Sequence, residues 1–138
     1  MHSLRFICPA GARLPFHPRE IRRLALRMLH TLSPQGAKVE LVFVRDAEIM
    51  DLNRRYLDLR GPTNCLAFPA GTPNMPPGGS LFVSLDALGR ECLLYGQSPA
   101  AHLGRLLAHG LAHLAGFEHG DAMDAVCAAL AKAWGQQD

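Results

Sequence analysis

The sequence predicts a single α/β (α+β) domain, spanning 1–138, with a small mixed sheet of four strands and about five helices. Short apolar runs alternate with longer segments whose apolar residues recur at a helical period. The order of these segments, β-α-β-α-β-β-α-α-α, suits one layered domain, and no internal repeat or linker interrupts it. With 138 residues, 49% of them apolar, the chain is long enough to bury a core without disulfides.

The first half of the chain contains two strands, each followed by a helix. The strands are SLRFIC (3–8) and VELVFV (39–44). The helix that begins at Pro18 places its apolar residues on one face, at i, i+3, i+4, i+7, i+8 and i+11, and Ser33 and the proline after it end the helix. A second helix, which Asp46 can cap, runs to about Tyr56.

The second half adds two strands, a long loop and three helices. The strands are NCLAF (64–68) and SLFVS (80–84), and their connection, which is too short for a helical crossover, suits an antiparallel pair or an excursion at the sheet edge. The segment between them, PAGTPNMPPGGS (69–80), has four prolines and three glycines and is therefore a loop, long enough to suggest a function. Helices begin at Asp86, at Pro99 with Ser98 as N-cap, and at Asp121.

Charge and cysteine usage restrict the possible functions. The formal net charge of +2 is too small for binding nucleic acid through a global field, so an RNA contact would need a local basic patch. The four cysteines lack a C-x-x-C pair, which favours buried, reduced thiols over a disulfide framework or a thiolate metal site. No signal-peptide core and no run of about 18 apolar residues is present, so we expect a cytoplasmic protein.

The stretch HGLAHLAGFEH places three histidines and a glycine on a fixed grid. His109, His113, Gly116 and His119 have the spacing of the long zinc-protease signature H-E-x-x-H-x-x-G-x-x-H. On a helix, His109 and His113 lie about 40° and about 6 Å apart on one face, so both imidazoles can reach one ion. A left-handed Gly116 would turn the chain so that His119 returns to the same ion.

Three imidazoles around one zinc predict a catalytic type of site, because the fourth position stays open. The alternative is a set of ordinary histidines satisfied by polar partners. It is less favoured because the helix is apolar almost all round and two buried imidazoles would need such partners. His102 precedes His109 by about 10.5 Å along the helix, too far to be a ligand but near enough to contact substrate or support the site.

Gly110 occupies the position at which the proteases keep their catalytic glutamate. Its presence argues against a metallohydrolase of peptides, although Glu118 could serve as a base. Because Glu118 directly precedes a ligand, we expect it instead to orient that ligand.

These features, together with two upstream segments, resemble the YbeY family of bacterial rRNA maturation endoribonucleases. The histidine stretch is similar to the family's H-G-x-L-H-L-x-G-Y-D-H, and LNRRYLDLRGPTNCLAFP (52–69) to its L-N-x-x-Y-R…P-T-[DN]-V-L-S-F-P. GSLFVS (79–84) lies where the family opens its fourth strand. The resemblance covers most of the chain. It implies an α/β fold, one zinc held by His109, His113 and His119, and rRNA processing, notably at the 3′ end of 16S rRNA, in ribosome assembly and quality control.

The resemblance also implies partners and substrate contacts. The partners would be rRNA, the small ribosomal subunit and its assembly factors, with no membrane and no DNA. Thr63 and Asn64 would line the cleft with hydrogen-bonding groups, and capping or turn roles are the alternative. The nucleophile would be either the RNA 2′-OH or water, and nickel or another divalent transition metal would also suit the imidazoles in vitro.

Two positions depart from the family pattern. The family's arginine after the tyrosine aligns with Leu57, and the aspartate of its G-D pair aligns with Ser80. Arg54 shares a helix face with Leu57 and is the first candidate for a phosphate clamp, ahead of Arg55 and Arg60. Solvated surface arginines are the alternative. The departures leave open a non-catalytic ribosome-assembly factor with a structural zinc.

Overall fold

The computed structural model describes residues 2–57, 63–70 and 76–135. Within these ranges the elements follow the predicted order. The strands are β1 (His2–Ile7), β2 (Ala37–Val44), β3 (Cys65–Pro69) and β4 (Gly78–Ser84). The helices are α1 (Pro18–Leu32), α2 (Asp46–Leu57), α3 (Leu85–Tyr95), α4 (Pro99–Leu114) and α5 (Asp121–Trp134). The predicted loop is shorter than expected, because β4 begins at Gly78, and residues 71–75 of it lie outside the described ranges.

The sheet is mixed, with strand order β1-β2-β4-β3. β2 pairs in parallel with both β1 and β4, and β3 pairs antiparallel with β4. The antiparallel pair agrees with the prediction made from the connection between the third and fourth strands, which is too short for a helical crossover. β3 is therefore an edge strand that is joined to the rest of the sheet only through β4.

Alternate residues of the strands face two separate apolar layers. On one face Leu41 and Leu81 pack into the main core with α1, α4 and the end of α5. On the other face Val42 and Leu66 pack against Ile49 of α2 in a smaller cluster. The consequence for function is that α4, which carries the first two histidines, and α2, which carries Arg54, cover opposite faces of the sheet.

Hydrogen bonds fix the starts of the helices. Ser98 caps α4 as predicted, since its side chain accepts from the backbone N–H of Ala101 at 3.1 Å. Asp46 is the first residue of α2, and its carboxylate accepts from Ser84 Oγ at 2.9 Å and from the guanidinium of Arg90. The predicted cap is therefore replaced by a tie between α2 and α3.

The four cysteines are free, as predicted, although each is half-buried rather than fully buried. None of the described helices combines the length and the apolar character that crossing a membrane requires.

Candidate metal centre

The three histidines of the grid converge at the C-terminal end of α4. His109 and His113 lie one turn apart, and their Nε2 atoms are 3.1 Å from each other. Gly116 has a φ of 93°, which turns the chain back, and the His119 ring centroid then lies 5.2 Å from that of His109 and 5.1 Å from that of His113. One ligand atom from each histidine lies within 4.8 Å of the other two. The grid therefore forms the cluster that the sequence predicts.

The cluster fits a transition-metal ion. Zinc at about 2.0–2.1 Å from each nitrogen in a tetrahedral site separates neighbouring ligand atoms by about 3.3 Å, so the 3.1 Å pair is already near that spacing. The donor set is all imidazole, which suits zinc and also nickel, copper or cobalt. His109 and His119 are exposed and His113 is half-buried, so one side of the cluster is open to solvent.

The exposure of His109 differs from the sequence-based expectation that the imidazoles on α4 are buried. The body of α4 is buried as predicted, but His109 lies on its exposed strip. An exposed imidazole can be hydrated, so burial is no argument for a metal here. The evidence for a metal site is the convergence of the three imidazoles.

The protonation and orientation of the rings favour metal binding. Partial burial, followed by the neighbouring rings of His113 and His119, holds the pKa of His109 below its ordinary value. The neutral imidazole, which is the form that ligates a metal, is thereby favoured. The Nδ1 atom of His113 lies 3.1 Å from the carbonyl oxygen of Phe117, which leaves Nε2 directed at the cluster. Sequence reasoning missed this contact, because it depends on the turn that follows α4.

Gly110, which replaces the protease glutamate, faces the sheet. A β-carbon at this position would lie 2.3 Å from Leu81 Cδ1 and 3.0 Å from Cys65 Sγ. A glutamate here would therefore be directed into the core between α4 and β4, away from the exposed histidines. The absence of the protease base follows from how closely α4 packs on the sheet.

Asn64 and His102 are joined by a residue that the sequence did not single out, Glu91 of α3. His102 Nε2 lies 2.7 Å from Glu91 Oε1, and Asn64 Nδ2 donates to both carboxylate oxygens at 3.2 and 3.3 Å. His102 is only 9% exposed, and Arg105 approaches its other ring nitrogen at 3.4 Å. The network ties the start of β3 to α3 and α4. The substrate roles of Thr63, which is half-buried, and of Asn64 and His102 stay predictions.

The predicted arginine clamp lies on α2. Arg54 and Arg55 are both exposed, and both bind the carboxylate of Asp51, at 3.1 and 3.2 Å. Arg60 and the side chain of Leu57 lie outside what the structure describes.

Ser80 and Glu118 are the remaining residues that the sequence singled out. Ser80 is half-buried in β4, opposite Phe68 of β3. Glu118 is exposed and makes no hydrogen bond or ion pair with the residues that the structure describes, so the observed support of a ligand comes from the Phe117 carbonyl.

Comparison with known proteins connects this site to a family. Residues 13–129 match the family model described as Endoribonuclease YbeY. The chain belongs to the endoribonuclease YbeY family. A YbeY endoribonuclease of Oleidesulfovibrio alaskensis is 41% identical over 132 residues, covering 80% of this chain and 78% of the relative. That of Nitratidesulfovibrio vulgaris is 40% identical over 137 residues, covering 86% of this chain and 85% of the relative.

A solved structure supports the fold. The solution structure of TM1509 from Thermotoga maritima superposes with a TM-score of 0.69 at 18% identity, covering 96% of this chain and 89% of that one. The resemblance to the YbeY family that the histidine grid and the two upstream segments indicated is therefore confirmed, as is the α+β fold.

Proposed function

We propose that this YbeY-family chain is a zinc-dependent, single-strand-specific endoribonuclease that acts in rRNA processing, including maturation of the 16S rRNA 3′ end, and in ribosome quality control. Its partners would be rRNA, the small ribosomal subunit and assembly factors. The observation that carries the proposal is the cluster of His109, His113 and His119, whose ligand atoms lie within 4.8 Å of one another. Family membership supports RNA as the substrate.

The residues of the histidine cluster and its surroundings would have different roles. His109, His113 and His119 would hold one ion, and the Phe117 carbonyl fixes the ring of His113. When bound, zinc supplies Lewis acidity that stabilises negative charge on a phosphodiester. Because residue 110 is glycine, no glutamate at this position can act as a general base. The nucleophile in RNA cleavage would be either the 2′-OH of the substrate or water.

Phosphate binding would come from the end of α2. Because α2 and α4 cover opposite faces of the sheet, an RNA strand that contacts both Arg54 and the histidines has to pass around the sheet edge formed by β3. Arg54 is the first candidate, and since Asp51 already binds it, the arginine has to exchange or share that carboxylate when it binds a phosphate. Thr63, Asn64 and His102 would position substrate near β3, with Glu91 holding Asn64 and His102 in place. Glu118 would support His119 from its exposed position.

The test is cleavage of single-stranded rRNA by pure protein, with and without chelator, combined with elemental analysis. We expect about one zinc per chain, loss of cleavage with chelator, and recovery when zinc is returned. His113→Ala should lose both metal and cleavage. His17→Asn is the matched control, because His17 lies at the N-cap of α1 and asparagine caps equally well. Freshly purified wild type without any transition metal would contradict the proposal.

A second candidate function is a non-catalytic assembly factor with a structural zinc. Leu57 and Ser80, which stand where the family has arginine and aspartate, favour it. Protein that holds zinc and binds rRNA but leaves it intact would establish this function instead. A peptide hydrolase is disfavoured by the packing of Gly110 against Leu81, and chelator-sensitive proteolysis of a casein-like substrate would reverse that judgement.

A further inference from the structure

The exposed face of α1 concentrates the positive charge of this chain. Residues 18–32 contain four arginines and one glutamate, a formal charge of +3, whereas the whole chain has +2, so the remaining residues sum to −1. Arg19, Arg23 and Arg27 recur at i, i+4 and i+8, and all three are exposed on the side opposite the buried stripe. His30 lies on the same side. This is a local basic patch of the kind that RNA binding needs at so low a net charge.

Much of this charge is not neutralised by the protein. Glu20 is the one acidic residue of α1, and it bonds Arg23. Arg22 donates to the carbonyl oxygen of Leu4 and so ties α1 to β1. The guanidinium groups of Arg19 and Arg27 form no hydrogen-bonded ion pair with any residue that the structure describes. They are available to a partner that brings negative charge.

A groove follows this face. Its volume is about 510 Å³, and it is lined by Arg23, Leu26, Arg27, His30, Thr31 and Ala133. Thr31 also lines a smaller neighbouring cleft of about 110 Å³, whose other wall includes Phe117. Phe117 is the residue whose carbonyl oxygen contacts His113. Thr31 and Phe117 therefore lie on one stretch of surface between the basic face and the turn that joins His113 to His119.

We propose that this face, defined by Arg19, Arg23, Arg27 and His30, binds the sugar–phosphate backbone of single-stranded RNA outside the cleavage site and directs the strand toward the histidine cluster. The inference rests on the proposed RNA substrate of that cluster. Guanidinium groups bind phosphates through two parallel hydrogen bonds. An RNA strand fits the surface because its regularly spaced charges match a row of arginines along a helix, and because the groove and the neighbouring cleft share Thr31, with Phe117 in the wall of that cleft.

The test measures binding separately from cleavage. A fluorescent single-stranded RNA of about 20 nucleotides is titrated with wild type and with Arg19→Gln/Arg27→Gln, both as purified, at several salt concentrations, and a gel checks that the RNA stays intact during the titration. Each phosphate contact with a single strand contributes about 0.7 to the slope of log affinity against log salt, so losing two should lower the slope by about 1.4. Between 50 and 200 mM salt, wild type should then lose about sevenfold more affinity than the variant.

The control is Arg5→Gln/Lys38→Gln, which removes the same charge from exposed positions on the opposite face of the sheet. Its slope should equal that of wild type. An unchanged slope in the α1 variant, or an equal loss in the control, would overturn the proposal.

Cleavage kinetics give the second readout. With zinc present, the α1 variant should raise KM for the long RNA without changing kcat, and should leave a substrate of about six nucleotides unaffected. Equal changes with long and short RNA would contradict the proposal. If wild type cleaves no RNA but the α1 variant, unlike the control, loses RNA binding, the proposed binding role of α1 is retained and the proposed endonuclease function is wrong. Failure of one proposal can therefore be distinguished from failure of the other.

Discussion

Gly110 and Leu81 are in such close contact that a β-carbon on residue 110 would lie 2.3 Å from Leu81 Cδ1. Leu81 is completely buried, so its side chain cannot move into solvent. The backbone of α4 therefore rests directly on β4. This contact sets the distance of the helix from the sheet, and with it the position of His109 and His113 on the outer side of the same helix.

The first prediction follows from that contact. Gly110→Ala should lower the free energy of unfolding, because overpacking typically costs about 1–3 kcal/mol and exceeds the gain in helix propensity of about 1 kcal/mol. Gly110→Glu should cost more, since it also buries a charge. Urea unfolding of Gly110→Ala, Leu81→Ala and the double variant should show a double-variant loss smaller than the sum of the single losses. Additive losses, or a Gly110→Glu variant as stable as wild type, would contradict the contact.

The second prediction concerns Gly104, which packs against a rigid ring. A β-carbon there would lie 2.5 Å from Trp134 Cδ1, and the indole is held by a bond from its Nε1 to the Ala100 carbonyl at 3.0 Å. Gly104→Ala should therefore destabilise the protein, because an overpacking cost of about 1–3 kcal/mol exceeds the gain in helix propensity of about 1 kcal/mol. Gly89→Ala is the matched control in α3, where the added methyl group meets open space and should stabilise by up to about 1 kcal/mol. Equal stabilisation of both variants in urea unfolding would contradict the prediction, because it would show that the Trp134 indole moves to accommodate the added methyl group.

The third prediction concerns the phosphate clamp. If Arg54 has taken over from the arginine that Leu57 replaces, Arg54→Ala should reduce RNA cleavage far more than Arg55→Ala, although both side chains bind Asp51. A cation that contacts the reacting phosphate stabilises the negative charge that grows in the transition state. Zinc content should stay unchanged in both variants, and Leu57→Arg should raise activity or leave it level. Equal, small effects would place the clamp elsewhere in the chain.

The fourth prediction is a loss of stability in acid. The hydrogen bond from Arg90, supported by that from Ser84, holds the pKa of Asp46 below its ordinary value. A lowered folded-state pKa contributes stability that is complete above the unfolded value of about 3.9 and is lost as the pH falls through the folded value. Asp46→Asn should therefore lower stability at pH 7 and flatten its decline below about pH 5.

The check is a series of urea unfolding curves from pH 7 to acid. Arg90→Gln should reproduce part of the Asp46→Asn effect, because Arg90 is the principal cause of the shift. Identical acid profiles of wild type and Asp46→Asn would mean that the tie between α2 and α3 contributes nothing.

Features that depend on interactions between neighbouring residues could be predicted from the sequence. The order of strands and helices follows from apolar periodicity, and the start of α4 follows from Ser98 and Pro99, because a cap bonds within one turn. The histidine cluster is local as well. His109 and His113 are brought together by the helix, and a positive φ at Gly116 returns His119 to them.

The relative orientation of these helices and strands depends on packing between residues that are far apart in the sequence. The spacing of apolar residues does not predict which side of a nearly all-apolar helix stays exposed. In the structure α4 packs on the sheet through Gly110, and His109 is exposed to solvent. Glu91 joins Asn64 to His102 across separations of 27 and 11 residues, which no local pattern encodes. The sheet likewise separates α2 from α4. Side chains alternate along each strand, so both faces of the sheet carry apolar residues, and each face is buried by different helices.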